Sequence, residues 1–323
     1  YPKTKTRVEG HFEDWLPALI NADHTDHLRI SGPGALDGAG APFWQEFWTR
    51  LKANKKTTNL DVERPRLMLV QNASDVRITG ITFKDSGFWN LHLYRCQNVL
   101  VEQCRFEVPP GVKCPSTDGT DVDSCQNVTI RGCVYRVDDD CIALKGSKGP
   151  GAMSDPDSPP VEHVRVEDCT FERGHGVVTL GSEATIVRDV RVEKCRVIGS
   201  IELVRFKLRP DTPQIYEDIH YRDIALDGSG AIFQVRPWTQ YFDGKSQPPP
   251  HSVVRNVTLT NIKGRYGSMG TIEGNAGQTE ISNIVLENIN LQLTNGNLHA
   301  VQVNHLTTEN VVVNQKPFGM DLR

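Results

Sequence analysis

One Asn, Asp or His recurs through this chain at a solenoid-like interval, and a fixed apolar pattern follows each occurrence. The anchors are Asp75, Asn98, Asn127, His163, Asp189, Asp218, Asn256, Asn283 and Asn310, spaced 23 to 38 residues apart. Repeats of this length belong to stacked, quasi-linear folds. The next residue is always β-branched: Val76, Val99, Val128, Val164, Val190, Ile219, Val257, Ile284 and Val311. Three positions on come Ile78, Val101, Ile130, Val166, Val192, Tyr221, Leu259, Leu286 and Val313. Six positions on come Ile81, Cys104, Cys133, Cys169, Cys195, Ile224, Ile262 and Ile289. Eight on come Phe83, Phe106, Tyr135, Phe171, Val197, Leu226, Gly264 and Leu291, a column that only Gly264 interrupts.

Positions +1 and +3, then +6 and +8, read as two short strands of period 2 separated by a phase-shifting turn. A single turn cannot bury its apolar face, so the turns must stack and each column becomes an inner ladder. The expected fold is all-β, a right-handed single-stranded parallel β-helix (solenoid) of about ten turns. Residues 1–323 are expected to form one such domain, because a solenoid of this length needs no second core. The anchors suit bends, where Asn and Asp side chains can bond nearby backbone. His27, followed by Leu28 and Ile30, is a candidate start for an earlier turn. Residues 41–62, with Phe43, Trp44, Phe47, Trp48 and Leu51, read as the one amphipathic helix, inserted between turns.

The 36 basic and 40 acidic residues are well mixed and leave a net charge of −4. That balance gives no reason to expect nucleic acid or an anionic membrane as partner. No apolar stretch approaches a membrane span. Cys104, Cys133, Cys169 and Cys195 share a column, and Cys96 and Cys125 share another. These read as small buried apolar residues, reduced rather than bridged, and no Cys-x-x-Cys pair points to a metal. The sequons at Asn72, Asn127 and Asn256 fall out of the anchor pattern and its neighbourhood.

Four charged clusters follow in order on the stacked turns: Thr117-Asp118-Gly119, Asp138-Asp139-Asp140-Cys141, Gly174-His175-Gly176 and Arg205-Phe206-Lys207. They open or occupy a third strand, expected at Gly119–Asp123, Asp140–Lys145, Gly176–Gly181 and Leu203–Lys207. Neighbouring strands lie about 4.8 Å apart, so these residues become near neighbours. Asp139 and Asp140 reach one groove together only if the chain bends between them. Grouped carboxylates suit glycosidic cleavage, and adjacent cations suit a sugar that is itself anionic.

This series resembles glycoside hydrolase family 28, the polygalacturonases and their relatives. Members of that family carry Asn-Thr-Asp, Gly-Asp-Asp, Gly-His-Gly and Arg-Ile-Lys in this order on a right-handed parallel β-helix. Here the motifs read Ser116-Thr117-Asp118, Asp138-Asp139-Asp140, Gly174-His175-Gly176 and Arg205-Phe206-Lys207, and the likeness runs from about residue 27 to 300. The resemblance implies inverting hydrolysis of α-linked galacturonic acid in pectin. Asp139 would be the general acid, and Asp118 and Asp140 would hold and deprotonate the attacking water. His175 would orient the acid or bind substrate, and Arg205 and Lys207 would pair with a galacturonate carboxylate. One carboxyl must stay protonated while another stays ionised; which Asp is raised is left open. Tyr241 and Trp238 are candidates for the groove lining. Asp138, where the family has Gly, reads as an exposed neighbour.

The resemblance further implies a secreted or periplasmic monomer that acts on pectic oligo- or polysaccharides and needs no metal or other cofactor. The family's usual N-terminal segment precedes the point where this chain begins, so residues 1–26 are expected to cover that end of the solenoid partly. Inserts at 37–62, 146–160 and 236–252 are expected to wall the groove into a pocket, which favours exo action. Three alternatives stand beside this reading: a rhamnogalacturonan- or rhamnosidase-type hydrolase, a calcium-dependent lyase, and a non-catalytic carbohydrate-binding β-helix.

Overall fold

The computed structural model describes residues 2–242 and 249–320. It is a right-handed parallel β-helix with three ladders. The first ladder stacks ten strands among the described residues, from Arg29–Ser31, Ser74–Thr79 and Gln97–Glu102 to Val303–Val313. Val76, Val99, Val128, Val164, Val190, Ile219, Val257 and Ile284 pair in one register along it. The second ladder carries Phe83, Phe106, Tyr135 and Phe171, whose rings stack 4.8 to 5.3 Å apart within 10° of parallel. The cysteine columns are buried and all eight thiols are free.

The anchors owe their identity to backbone geometry more than to side-chain bonding. Every one of them has φ between +51° and +59°, the left-handed region that Asn and Asp tolerate best among residues with a Cβ. A second left-handed bend ends each first-ladder strand, at Gly80, Gln103, Gly132, Asp168, Lys194, Asp223, Asn261 and Asn288. This second series explains an error at the C-terminal end. Ile284 pairs with Leu306, whereas Val311 and Val313 pair with Ile289 and Leu291 of the second ladder. The last anchor is therefore His305, at φ +59°, and Asn310 occupies the second bend. Gly264 breaks its column because its φ is +133° and a Cβ there would strike the Leu226 carbonyl.

His27 does belong to an earlier turn, at φ +56°, and that turn begins sooner than His27. Its strands are Ile20–Asp23, Arg29–Ser31 and Ala35–Asp37. Within residues 1–26, the stretch from Ile20 is itself part of the outermost turn and stacks on Met68–Gln71, while the residues before it lie to the side. Thr4–Val8 and His11–Trp15 form an antiparallel hairpin whose contacts run to the flank of the third ladder. Arg66 donates to the Arg7 carbonyl at 3.0 Å, and Trp15 Nε1 donates to the Arg64 carbonyl at 2.9 Å. Ile20, Leu28, Ile30 and Leu36 at the end stay only partly buried. The expected helix runs Ala41–Ala53, with Pro42 in its first turn and Asn54 extended at its end; a short 3-10 turn follows at Asn59–Asp61. Trp44 and Phe47 are its buried face.

Candidate active site

The third ladder positions the charged clusters. Thr120–Asp123, Ile142–Lys145, Gly176–Leu180 and Glu202–Leu208 stack in parallel register. The Gly119 amide donates to the Asp140 carbonyl at 2.9 Å, and the His175 amide to the Asp139 carbonyl at 2.8 Å. Asp118, the Asp pair and His175 thus open the same strand on successive rungs, as the repeat requires.

Glycines make this approach possible. Gly174 has φ +157°, and a Cβ there would strike the Cys141 thiol. A Cβ on Gly176 would lie 2.7 Å from Arg205 Cδ. Gly-His-Gly is therefore a steric requirement on the rung between the aspartates and Arg205.

The chain bends between the strands Val134–Arg136 and Ile142–Lys145, and the bend sends the two aspartates different ways. Asp139 lines a cleft of about 670 Å3 together with Asp118, His175, Arg205, Lys207 and Tyr241. Asp140 is fully buried beneath it. Its Oδ1 accepts from Thr179 Oγ1 at 2.7 Å and lies 3.3 Å from Arg205 Nε. Its Oδ2 accepts from Lys207 Nζ at 2.7 Å. Asp138 is tied to Arg173 at 2.6 Å and accepts from the Cys114 amide, so it anchors a loop.

Electrostatics separates the three carboxyls. Burial pushes the Asp118 carboxyl up to about 7, reinforced by Asp139 and opposed by Lys145. Asp139 is also raised by burial, but His175 at 3.1 Å, with Lys207 and Arg205, overrides that and holds it well below the carboxylate range. Asp140 is likewise raised by burial and then held low by Lys207 and Arg205. The Asp139 charge lifts His175 to about 9 against the pull of burial. Asp139, Asp140 and His175 lie close enough together to resemble a metal trio. Both Asp140 oxygens already serve protein cations, however, which leaves the trio a poor cation host.

The walls come from three places. The helix contributes Trp48 and the segment after it Thr57 and Asn59, and the stretch after Ala231–Pro237 contributes Trp238, Gln240 and Tyr241. The hairpin contributes Glu9. Trp238 faces Arg205 and Lys207 at 5.6 and 4.9 Å. Burial, with Glu9 nearby, pushes the Tyr241 phenol up to about 12, while Arg64 pulls it back. Tyr241 and Asn59, from distant parts of the chain, line the same cleft. The 146–160 insert does not form a wall as expected. It braces the hairpin, with Asp155 2.9 Å from Arg7 and Lys148 3.8 Å from Glu9. Residues 243–248 of the third insert lie outside the described residues.

Sequence reasoning missed Glu9, Trp89, Lys145 and Glu183 as lining residues. Glu9 arrives on a hairpin outside the repeat, so no column points to it. Lys145 ends a third-ladder strand already recognised, and its outward register beside Asp123 was the available signal; Glu183 lies three residues past the end of Gly176–Leu180 and has no register to read.

A parallel β-helix that gathers carboxylates, a histidine and cations on one outer ladder is a carbohydrate-processing scaffold of the acid–base kind. The chain belongs to glycosyl hydrolases family 28, which it matches over residues 3–312, a longer reach at both ends than the motifs suggest. It is 25% identical over 278 residues to a probable polygalacturonase of Vitis vinifera, covering 85% of this chain and 54% of the relative. It is 26% identical over 261 residues to an exopolygalacturonase of Zea mays, covering 78% and 57%. The chain thus spans about half the length of these curated relatives. Among solved structures, the exopolygalacturonase of Thermotoga maritima superposes with a TM-score of 0.77 at 20% identity, covering 98% of this chain and 76% of that one. A polygalacturonase of Erwinia carotovora gives 0.65 at 19% identity, covering 92% and 73%. These two likenesses establish the fold.

Proposed function

We propose that this cleft hydrolyses the glycosidic bond of an α-linked galacturonic acid residue with inversion, releasing terminal residues from pectic oligosaccharides. The observation that carries the reading is the Asp139–His175 pair beside Arg205 and Lys207, with Asp118 on the adjacent rung. Arg205 and Lys207 offer a galacturonate carboxylate a planar fork and a point charge, and Trp238 backs both. The curated relatives named as polygalacturonases support the same substrate class.

The proton for the leaving group sits on the Asp139–His175 pair. In the free site the imidazolium holds it, 3.1 Å from Asp139. A bound sugar excludes water and penalises that separated charge pair. A substrate carboxylate at Arg205 and Lys207 adds negative charge nearby, which also favours protonated Asp139. Asp139 then gives the proton to the glycosidic oxygen. Asp118 takes a proton from the water that attacks the anomeric carbon, since a base near neutrality is better matched to that task than buried Asp140. Asp140 holds the two cations in place.

The walls around the ladder, with Asn59 from one inserted segment and Tyr241 from another, support exo action, because a walled cleft favours a chain end over a continuous polymer. A pectic polymer does not cross a membrane, which favours a secreted or periplasmic site of action. No described helix is long and apolar enough to span one. The test is incubation with oligogalacturonides of defined length and mass analysis of products. Wild type is expected to shorten them by one residue at a time, and Asp139→Asn to lose at least about a hundredfold in kcat. Unsaturated, chelator-sensitive products would instead indicate a lyase, and no product from any pectic fragment a binding module.

A further inference from the structure

The three carboxylates differ in their cations. Asp139 has His175, and Asp140 has Arg205 and Lys207. Among the described residues, the cation within ion-pair distance of Asp118 is Lys145, its Nζ 3.4 Å from Oδ2. Lys145 ends the strand Ile142–Lys145, and its side chain is 7% exposed. Its ammonium lies 3.5 Å from Asp121 Oδ1, 3.8 Å from Glu183 Oε2 and 4.5 Å from the Trp89 ring centroid. The Asp121 side chain is wholly buried, and neither of its oxygens has a hydrogen-bond partner. Burial and the adjacent Asp118 push the Asp121 carboxyl well above its usual range. Asp118 and Asp121 are thus two crowded acids that share one cation.

We infer that Lys145 is a positioning residue that keeps Asp118 available as the base, and that Asp121 and Glu183 set how much of its charge Asp118 receives. The inference rests on the hydrolytic role proposed for Asp118. Asp121, pushed well above its usual range, keeps its proton even beside Lys145. Without Lys145, nothing within ion-pair distance opposes protonation of Asp118 as well, and the attacking water loses its acceptor. A purely structural Lys145 would only neutralise Asp121 in the cleft wall.

Lys145→Met and Lys145→Arg separate these roles. With a galacturonate oligosaccharide below neutral pH, Lys145→Met is expected to lower kcat by about tenfold or more, with KM within about threefold. The acid limb of its kcat profile should move up by about one pH unit or more. Lys145→Arg should recover most of kcat. A loss carried by KM would make Lys145 a substrate ligand and overturn the inference, as would an unmoved acid limb. A second readout needs no activity. In protein labelled at the aspartate carboxyl carbon, the resonance that disappears in Asp118→Asn should titrate near 7. It should rise by about one unit in Lys145→Met and fall in Glu183→Gln, which removes a competing anion but keeps the lysine. Unchanged midpoints in both overturn the inference even if the substrate class is wrong, and shifted midpoints support it even then. Should Lys145→Met fail to fold, the Glu183→Gln shift decides.

Discussion

At the scale of single residues, the site divides labour by environment. Asp118 is pushed up to about 7 by burial and its acidic neighbours, whereas His175 is lifted to about 9 by Asp139. In the proposed mechanism Asp118 must be ionised and the Asp139–His175 pair must hold its proton. kcat/KM is therefore expected to rise through about 7 as Asp118 ionises and to fall through about 9 as the pair empties. Steady-state rates across that range check it, and a profile flat on its acid side would remove Asp118 as base. That Asp118, Asp139, His175, Arg205 and Lys207 come together in one cleft was legible in the sequence because each sits at a fixed place on a repeat. The fate of Asp140 was not, because one bend decides whether two adjacent carboxylates face the same way. Which carboxyl carries the raised value was also illegible, since burial and cation distance are properties of the stack.

At the scale of elements, each ladder has a different task. The second ladder holds Phe83, Phe106, Tyr135 and Phe171 face to face inside the solenoid, on the same turns that display the aspartates outward. Phe106→Ala leaves a ring-sized gap in this fully buried stack and is expected to cost about 3–5 kcal/mol of stability; chemical denaturation measures the loss, and a change under about 1 kcal/mol would show that the stack is not under such packing constraint. Most ladder positions were readable from the +1, +3, +6 and +8 columns. The misplaced last anchor has a definite cause: both bends of a turn take left-handed residues, and Asn310 satisfies the second as well as an anchor satisfies the first. The hairpin was unreadable for the opposite reason. Its residues obey no repeat, and it docks through Arg7, Trp15 and Arg66 onto a flank that exists only once the turns stack.

At the scale of the whole molecule, the proposed account has one outer ladder supply the chemistry and elements outside the regular turns decide which substrates reach it. Tyr241, from a late turn, and Asn59, from an early one, line the same cleft. Tyr241→Ala is expected to open the cleft end, so that polymeric pectin yields some internal fragments in place of single residues; chromatography of early products reads this, and an unchanged product pattern would relieve Tyr241 of the role. Such walls could be anticipated only as a set of inserts, because which of them line the cleft depends on how far each reaches over the ladder. The 146–160 insert shows the difference, since it braces the hairpin from behind. The most direct test of the central claim, that Asp118 and Asp139 cleave a galacturonide through water attack on the far face of the sugar, is proton NMR of the anomeric signal in the first minutes of hydrolysis of an α-linked galacturonide. The account predicts that the β-anomer of the released sugar appears first, then mutarotates. Initial release of the α-anomer would contradict it.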